Sequence, residues 1–547
     1  MQTANAQEYA KHNSAHSRDD ANAIHPPQVY LTSETYRAKR APSRINTKHT
    51  ECRTLGTFAN RQNFTEVVQM NEQIASLMKS LNETVGILDD IVWGPYVLIP
   101  LLLGVGMILT VALRCLPWRE LPHAFATMWR GRRHHPDHQG EITPFRALMT
   151  SLAATIGTGN IVGVASAILM GGPGAVFWMW VTAAFGMATK FCEATLAVRY
   201  REVTPDGKFV GGPMYYIKNG LGANWKWLAT VFAIFGTVAS FGIGNMTQTN
   251  SVTENVVNLS LSVFGFNLDP KIVAVVLFVL AGAVLIGGVK RIGAVAGTLV
   301  PFMAVIYVIG GLIILIFNAD KVPAAFALIF KSAFTGQAAV GGFAGAALAE
   351  AIRFGVARGL FSNEAGMGSA PIAHATAIVK HPVKQGLLGM LDPFLDTIIV
   401  CTISALVILV SGQWMEPGMR EAGKATLTAV SFNSAMPVAH AGTWLVTTGL
   451  VLFAFSTVLG WCVYGERCVI YLFGHKAALP FRIIFTLVVP IGALSKVDLV
   501  WNLADLFNGL MAIPNLVALV LLLPVVIKLT KDYFSDPKNA DAYEEEN

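Results

Sequence analysis

Apolar runs near the ~20 residues that a helix needs to cross a bilayer recur from Trp93 to Leu529, parted by short polar or basic segments. The pattern predicts about eleven spans, near 93–116, 143–169, 173–199, 225–249, 270–288, 294–318, 333–356, 388–411, 441–466, 480–496 and 502–529. The expected fold class is an all-α integral membrane protein, with the lipid bilayer as its outer solvent. Residues 1–69 depart from this pattern, being polar, rich in His, Asn and Arg, and without periodicity. They read as a disordered or mis-assigned N-terminal extension, and 70–547 as the membrane domain.

Composition agrees, because the chain is 53% hydrophobic and 14% charged, against roughly 25% charged in an average soluble protein. Basic residues concentrate on alternate loops. Arg114, Arg119, Arg130, Arg132, Arg133 and Arg146 lie between the first two spans, and Arg199, Arg201, Lys208, Lys218 and Lys226 after the third. Those loops read as cytoplasmic, and so, by alternation, do Arg353, Arg358, Lys380 and Lys384. The chain then starts outside and ends in the cytoplasm. The net charge of +6 reflects these loops and implies no nucleic acid. The six cysteines show no metal-type spacing.

Two spans have weakened centres. The second carries Gly157, Thr158, Gly159 and Asn160 amid apolar residues, and the seventh carries Gly336, Gly341, Gly342, Phe343 and Gly345. Small residues at such positions serve either close helix packing or a mid-membrane break that offers carbonyls to cations and amides to anions. A separation of five spans suits the second reading, since it matches a repeated, inverted five-helix unit. Ser456 and Thr457, adjacent in the ninth span, either bond back to their own helix or face a cation. Lys190 and Glu193, three residues apart, read as a local pair. Glu350, Asp392, Asp396 and Glu466 fall toward the ends of spans and carry no assigned role.

Four stretches are similar to the alanine or glycine:cation symporter family: Gly157-Thr158-Gly159-Asn160; 171–186 with Phe177, Trp178 and Trp180; Gly211 to Tyr216; and 359–371 with Asn363 and Glu364. The likeness runs in order through 70–547. It implies a leucine-transporter-like fold, one leading helix before two inverted five-helix repeats, with discontinuous second and seventh helices. It also implies a coupling sodium ion held by the carbonyls of Ala153 and Ile156 and the hydroxyls of Ser456 and Thr457. Neutral oxygens suit such a hard cation and let it go again. The substrate, alanine or glycine, would set its carboxylate on amides at Thr158, Gly159 and Asn160 and its ammonium on carbonyls at Gly341, Gly342 and Phe343. Phe241, Asn245 and Gln248 share one face of the fourth span, and the resemblance directs that face, Gln248 above all, to the substrate.

A proton-driven carrier on the same scaffold is the nearest alternative; it would place a lysine within 294–318, which holds no basic residue. A channel would show a continuous polar face or a repeated filter loop. No enzyme motif and no cofactor site appear within the spans. The expectation is therefore sodium-coupled uptake of a small neutral amino acid across a bacterial inner membrane.

Overall fold

A backbone crossing hydrocarbon has no water to bond, so it closes its hydrogen bonds within helices. The computed structural model follows that rule through the residues it describes: 73, 76–94, 96–132, 139–335, 344–422, 424–495 and 498–536. The proposed extension at 1–69 lies outside them.

The principal helices are α1 (Leu98–Ala112), α2 (Pro144–Thr155), α3 (Val162–Gly171), α4 (Ala175–Arg199), α5 (Lys226–Phe241), α6 (Thr247–Phe264), α7 (Pro270–Leu285), α8 (Gly288–Phe317), α9 (Val322–Thr335) and α10 (Ala344–Asn363). After α11 (Ala370–His374) come α12, continuous over Pro382–Ser411, α13 (Ala441–Phe473), α14 (Ala478–Leu494) and α15 (Asp498–Ser535). A short hairpin pairs β1 (Glu202–Val203) with β2 (Phe209–Val210), Glu202 opposite Val210. Among the described residues, seven helices are long and apolar enough to span a membrane, and four shorter apolar helices accompany them.

The outer surface suits lipid. Ile272, Val275, Val279 and Leu280 on α7, Phe302, Val305 and Ile309 on α8, and Ile484, Leu487 and Ile491 on α14 are all exposed. In water such faces would drive association. The buried core, by contrast, runs from Leu98 on α1 through α4, α10, α12 and α13 to α15.

Two interruptions organise the order of helices. α2 stops at Thr155 and the chain resumes as α3 at Val162; α10 stops at Asn363 and resumes as α11 at Ala370. Each broken pair precedes four further membrane elements: α4, α5–α6, α7 and α8 in one case, α12, α13, α14 and α15 in the other. The sequence reading places the second break at Gly341, Gly342 and Phe343, which lie outside the described residues. It also reads Arg353 and Arg358 as cytoplasmic. They lie instead within α10, which continues to Asn363, and line a cavity with Asp89 and Trp93 before α1 and Asp505 of α15, the ends that the same reading sets outside.

Candidate functional site

The first break is built from local chemistry. Ile156 leaves the helix in an extended conformation (φ −75°, ψ 94°), Gly157 follows at φ −141°, ψ −149°, and a single 3-10 turn, Thr158–Asn160, leads toward α3. Asn160 caps the turn, its Oδ1 accepting the Gly157 amide at 2.9 Å. That amide would otherwise have bonded the carbonyl of Ala153, four residues back. The Ala153 carbonyl instead accepts the Ser456 hydroxyl at 3.2 Å. The sequence-predicted neighbours Ala153 and Ser456 thus meet across 303 residues.

α13 comes this close because it offers a glycine. A Cβ at Gly460 would stand 2.7 Å from the Cβ of Ala154. Thr457 lies opposite Gly157, where an added Cβ would meet Thr457 Oγ1 at 2.6 Å. The single Ser456 proton is shared between the Ala153 carbonyl and the nearer Phe453 carbonyl at 2.8 Å, and Thr457 donates to the Phe453 carbonyl at 3.0 Å. Their oxygens stay available as acceptors, and a hydroxyl carries two lone pairs.

The second break lies beside the first. Glu364, Gly366 and Gly368 adopt φ values of 52°, 90° and 79°, which turn the chain sharply out of α10. A Cβ at Gly159 would lie 3.2 Å from Ser362 Cα. Between the two breaks stands Asp396 of α12, fully buried. Its Oδ1 accepts Asn160 Nδ2 at 2.6 Å, and its Oδ2 accepts Ser362 at 2.8 Å and Thr397 at 2.7 Å. One carboxylate therefore gathers both interrupted helices. Sequence reasoning set Asp396 near a loop, since a π-helical stretch at Phe394–Cys401 turns it inward without any mark in the hydropathy.

A cavity of about 20 Å³, room for roughly one water, opens among Thr158, Gly159, Gln248, Phe361, Glu364, Thr457 and Trp461. Gln248 donates to the Ile243 carbonyl at 3.0 Å, while its Oε1 is buried with no hydrogen-bond partner. Glu364 accepts the Trp461 indole N–H at 3.1 Å and the Ser369 hydroxyl. Neither Glu364 nor Trp461 was singled out for this role from the sequence. The signal available was the family-like stretch 359–371, in which Asn363 and Glu364 interrupt small and apolar residues.

Other sequence-predicted residues have protein partners away from one another. Phe241 packs on Phe481 and Phe485, with ring centroids 5.4 and 5.6 Å away, and Asn245 donates to the Phe485 carbonyl at 2.7 Å. A π-turn at Gly242–Met246 inserts an extra residue between α5 and α6, so Phe241 and Gln248 no longer share a face. Lys190 does not pair with Glu193. Its Nζ lies 3.8 Å from Asp392 Oδ2, an oxygen that also accepts the Ser151 hydroxyl, while Glu193 accepts Asn515 Nδ2 at 2.6 Å and the Gly368 amide at 3.1 Å.

Broken helices around a buried polar cavity are the arrangement in which many membrane carriers bind their cargo. The sodium:alanine symporter family matches residues 78–547, and the chain belongs to it. It is 50% identical over 457 residues to the sodium/alanine symporter AgcS of Methanococcus maripaludis, covering 83% of this chain and 98% of that one. It is 40% identical to the probable sodium/glutamine symporter GlnT of Bacillus subtilis, covering 84% and 92%. Among solved structures, MhsT in complex with L-phenylalanine is similar at 14% identity and a TM-score of 0.47, covering 72% of this chain and 98% of that one. The protein is accordingly a multi-pass membrane transporter of the cation-coupled amino-acid symport class, a family of carriers and not of enzymes.

Proposed function

We propose that the chain couples sodium entry to uptake of a small neutral amino acid, alanine or glycine, by alternating access across a bacterial inner membrane. The observation that carries this reading is the Ala153 carbonyl, released from its helix at the Gly157 break and met by Ser456, with Thr457 alongside. With the Ile156 carbonyl they form a set of neutral oxygens suited to sodium. The relative named as a sodium/alanine symporter supports the same choice of ion and substrate.

The amino acid takes the adjoining cavity. Its carboxylate faces the amides that open the Thr158–Asn160 turn, as anions do at helix N-termini. Its ammonium faces the free oxygen of Gln248 and the carboxylate of Glu364. The cavity has room for about one water as it stands. Even alanine needs its walls to part, and a bulky side chain needs far more, which supports a small substrate. The concentration of basic residues on alternate loops supports an orientation with the N-terminal end of α1 outside and the C-terminal end of α15 in the cytoplasm.

The test is uptake of labelled alanine, glycine and glutamine into vesicles, with sodium, potassium or a proton gradient supplied separately. Sodium-driven entry of alanine or glycine is expected. Entry that proceeds equally in potassium and follows external acid instead would replace sodium with the proton, and preferential entry of glutamine would replace the substrate.

A further inference from the structure

A second cavity shares Phe361 with the central one. It measures about 130 Å³ and is walled by Asp89 and Trp93 from the segment before α1, by Arg353, Arg358 and Phe361 from α10, and by Asp505 from α15. Trp93 fastens the leading segment there, its indole N–H donating to the Asp505 carbonyl at 3.0 Å.

The charges of this chamber are incompletely met. Arg358 Nε and Asp89 Oδ1 are both buried without a hydrogen-bond partner. Arg353 reaches Asp90 at only 3.6 Å, on a side chain that is 79% exposed, a contact of little value. Burial, with Asp505 and Asp90 nearby, lifts the Asp89 carboxyl to about 7 even though Arg358 draws it down. An open guanidinium donor and an open carboxylate acceptor in one small space are costly. An inorganic anion would answer the arginine alone, and a metal ion the aspartate alone. A zwitterion answers both, with a carboxylate for the guanidinium and an ammonium for the carboxylate.

We propose that this chamber is an outer ante-site for an α-amino acid, holding the substrate carboxylate on Arg358 and Arg353 and its ammonium on Asp89 before it passes Phe361. The ante-site rests on the function and orientation proposed above, and it fills without sodium, since the Ser456 and Thr457 hydroxyls do not border it.

The experiment uses the full chain in right-side-out vesicles, with Ala357→Cys as a reporter in the chamber wall and a membrane-impermeant thiol reagent as probe. Phe354→Cys, in the same wall, is the second reporter if the first fails to insert. The reagent is expected to react from outside, and millimolar alanine to slow it severalfold in sodium-free medium. That protection disappears with Asp89→Asn or Arg358→Gln and survives Gln248→Ala. Labelling that alanine does not slow, in a protein that still transports alanine, marks a chamber holding only water and overturns the ante-site. Labelling from the cytoplasmic side alone overturns it too. A wild-type protein that takes up neither alanine nor glycine overturns the functional reading first, and the ante-site with it.

Discussion

A side chain at Gly157 displaces the Thr457 hydroxyl, because the 2.6 Å left between an added Cβ and Thr457 Oγ1 is far inside van der Waals contact. We therefore predict that Gly157→Ala abolishes sodium-driven uptake while the protein still inserts, as measured by vesicle transport against membrane content. At Thr457 the oxygen, not the methyl group, is what the cation site needs. Thr457→Ala should lose about 1.5–3 kcal/mol of ion interaction, or about 10–150-fold in apparent sodium affinity, and Thr457→Ser should keep most of it. Equal sodium dependence in Thr457→Ala and wild type would remove Thr457 from the site. At this scale the sequence was legible where a family-like motif sets two residues in fixed relation to a break, as for Ala153 and Ser456, which meet. It was not legible where partners come from elsewhere: nothing local shows that Asn160 will be held by Asp396, 236 residues away.

Elements are where hydropathy reads well and irregularity reads badly. The first break was visible because its glycines sit in the middle of an apolar run. The break at 364–369 was not, because its glycines and Glu364 follow a polar pair and look like the loop after a span. The π-helical stretches at Gly242–Met246 and Phe394–Cys401 leave no trace in composition, yet each rotates the residues that follow it by the better part of a helical step. The second of them delivers Asp396 to both broken helices. An Asn at this position would offer one acceptor oxygen and turn an amide toward groups that are already donors. Asp396→Asn is thus expected to cost about 1–3 kcal/mol. A lower melting temperature in detergent and a reduced maximal uptake rate are the readouts. Ser362→Ala, which removes one of the donors, should have a smaller effect in the same direction. Wild-type melting and uptake in Asp396→Asn would show that the carboxylate does not join the two breaks.

The whole molecule adds a constraint that no single element contains, at the end that is cytoplasmic in the proposed orientation. There the approach to α2 is stitched by backbone to the chain that follows α11. Ile142 bridges Ala377 in parallel, Glu141 donates its amide to the Thr376 carbonyl at 2.8 Å, and Ile378 donates to the Ile142 carbonyl at 2.8 Å. Arg201 reinforces the seam by donating to the Ala377 carbonyl at 2.7 Å. Side chains join this unit to α13: Glu141 Oε1 accepts Arg467 Nη2 and the Phe209 amide, both at 2.8 Å. Glu466 carries the link on to α14 through Arg482 Nη2 at 2.9 Å. Opening this end of the carrier is therefore expected to break the Glu141–Arg467 pair and leave the backbone seam intact. Removing one partner would strand a buried charge at a cost of about 3–5 kcal/mol, so the informative variant is the double one, Glu141→Gln with Arg467→Gln. Thr155 also lines the central cavity, and a thiol placed there by Thr155→Cys should then react with a reagent supplied from the cytoplasmic side about tenfold faster than in the parent, a shift of about 1.4 kcal/mol in the closed-to-open balance. An unchanged rate, in a protein that still folds, would mean that the seam or some other contact holds this end shut, and that the ion pair only fastens the hairpin to α13.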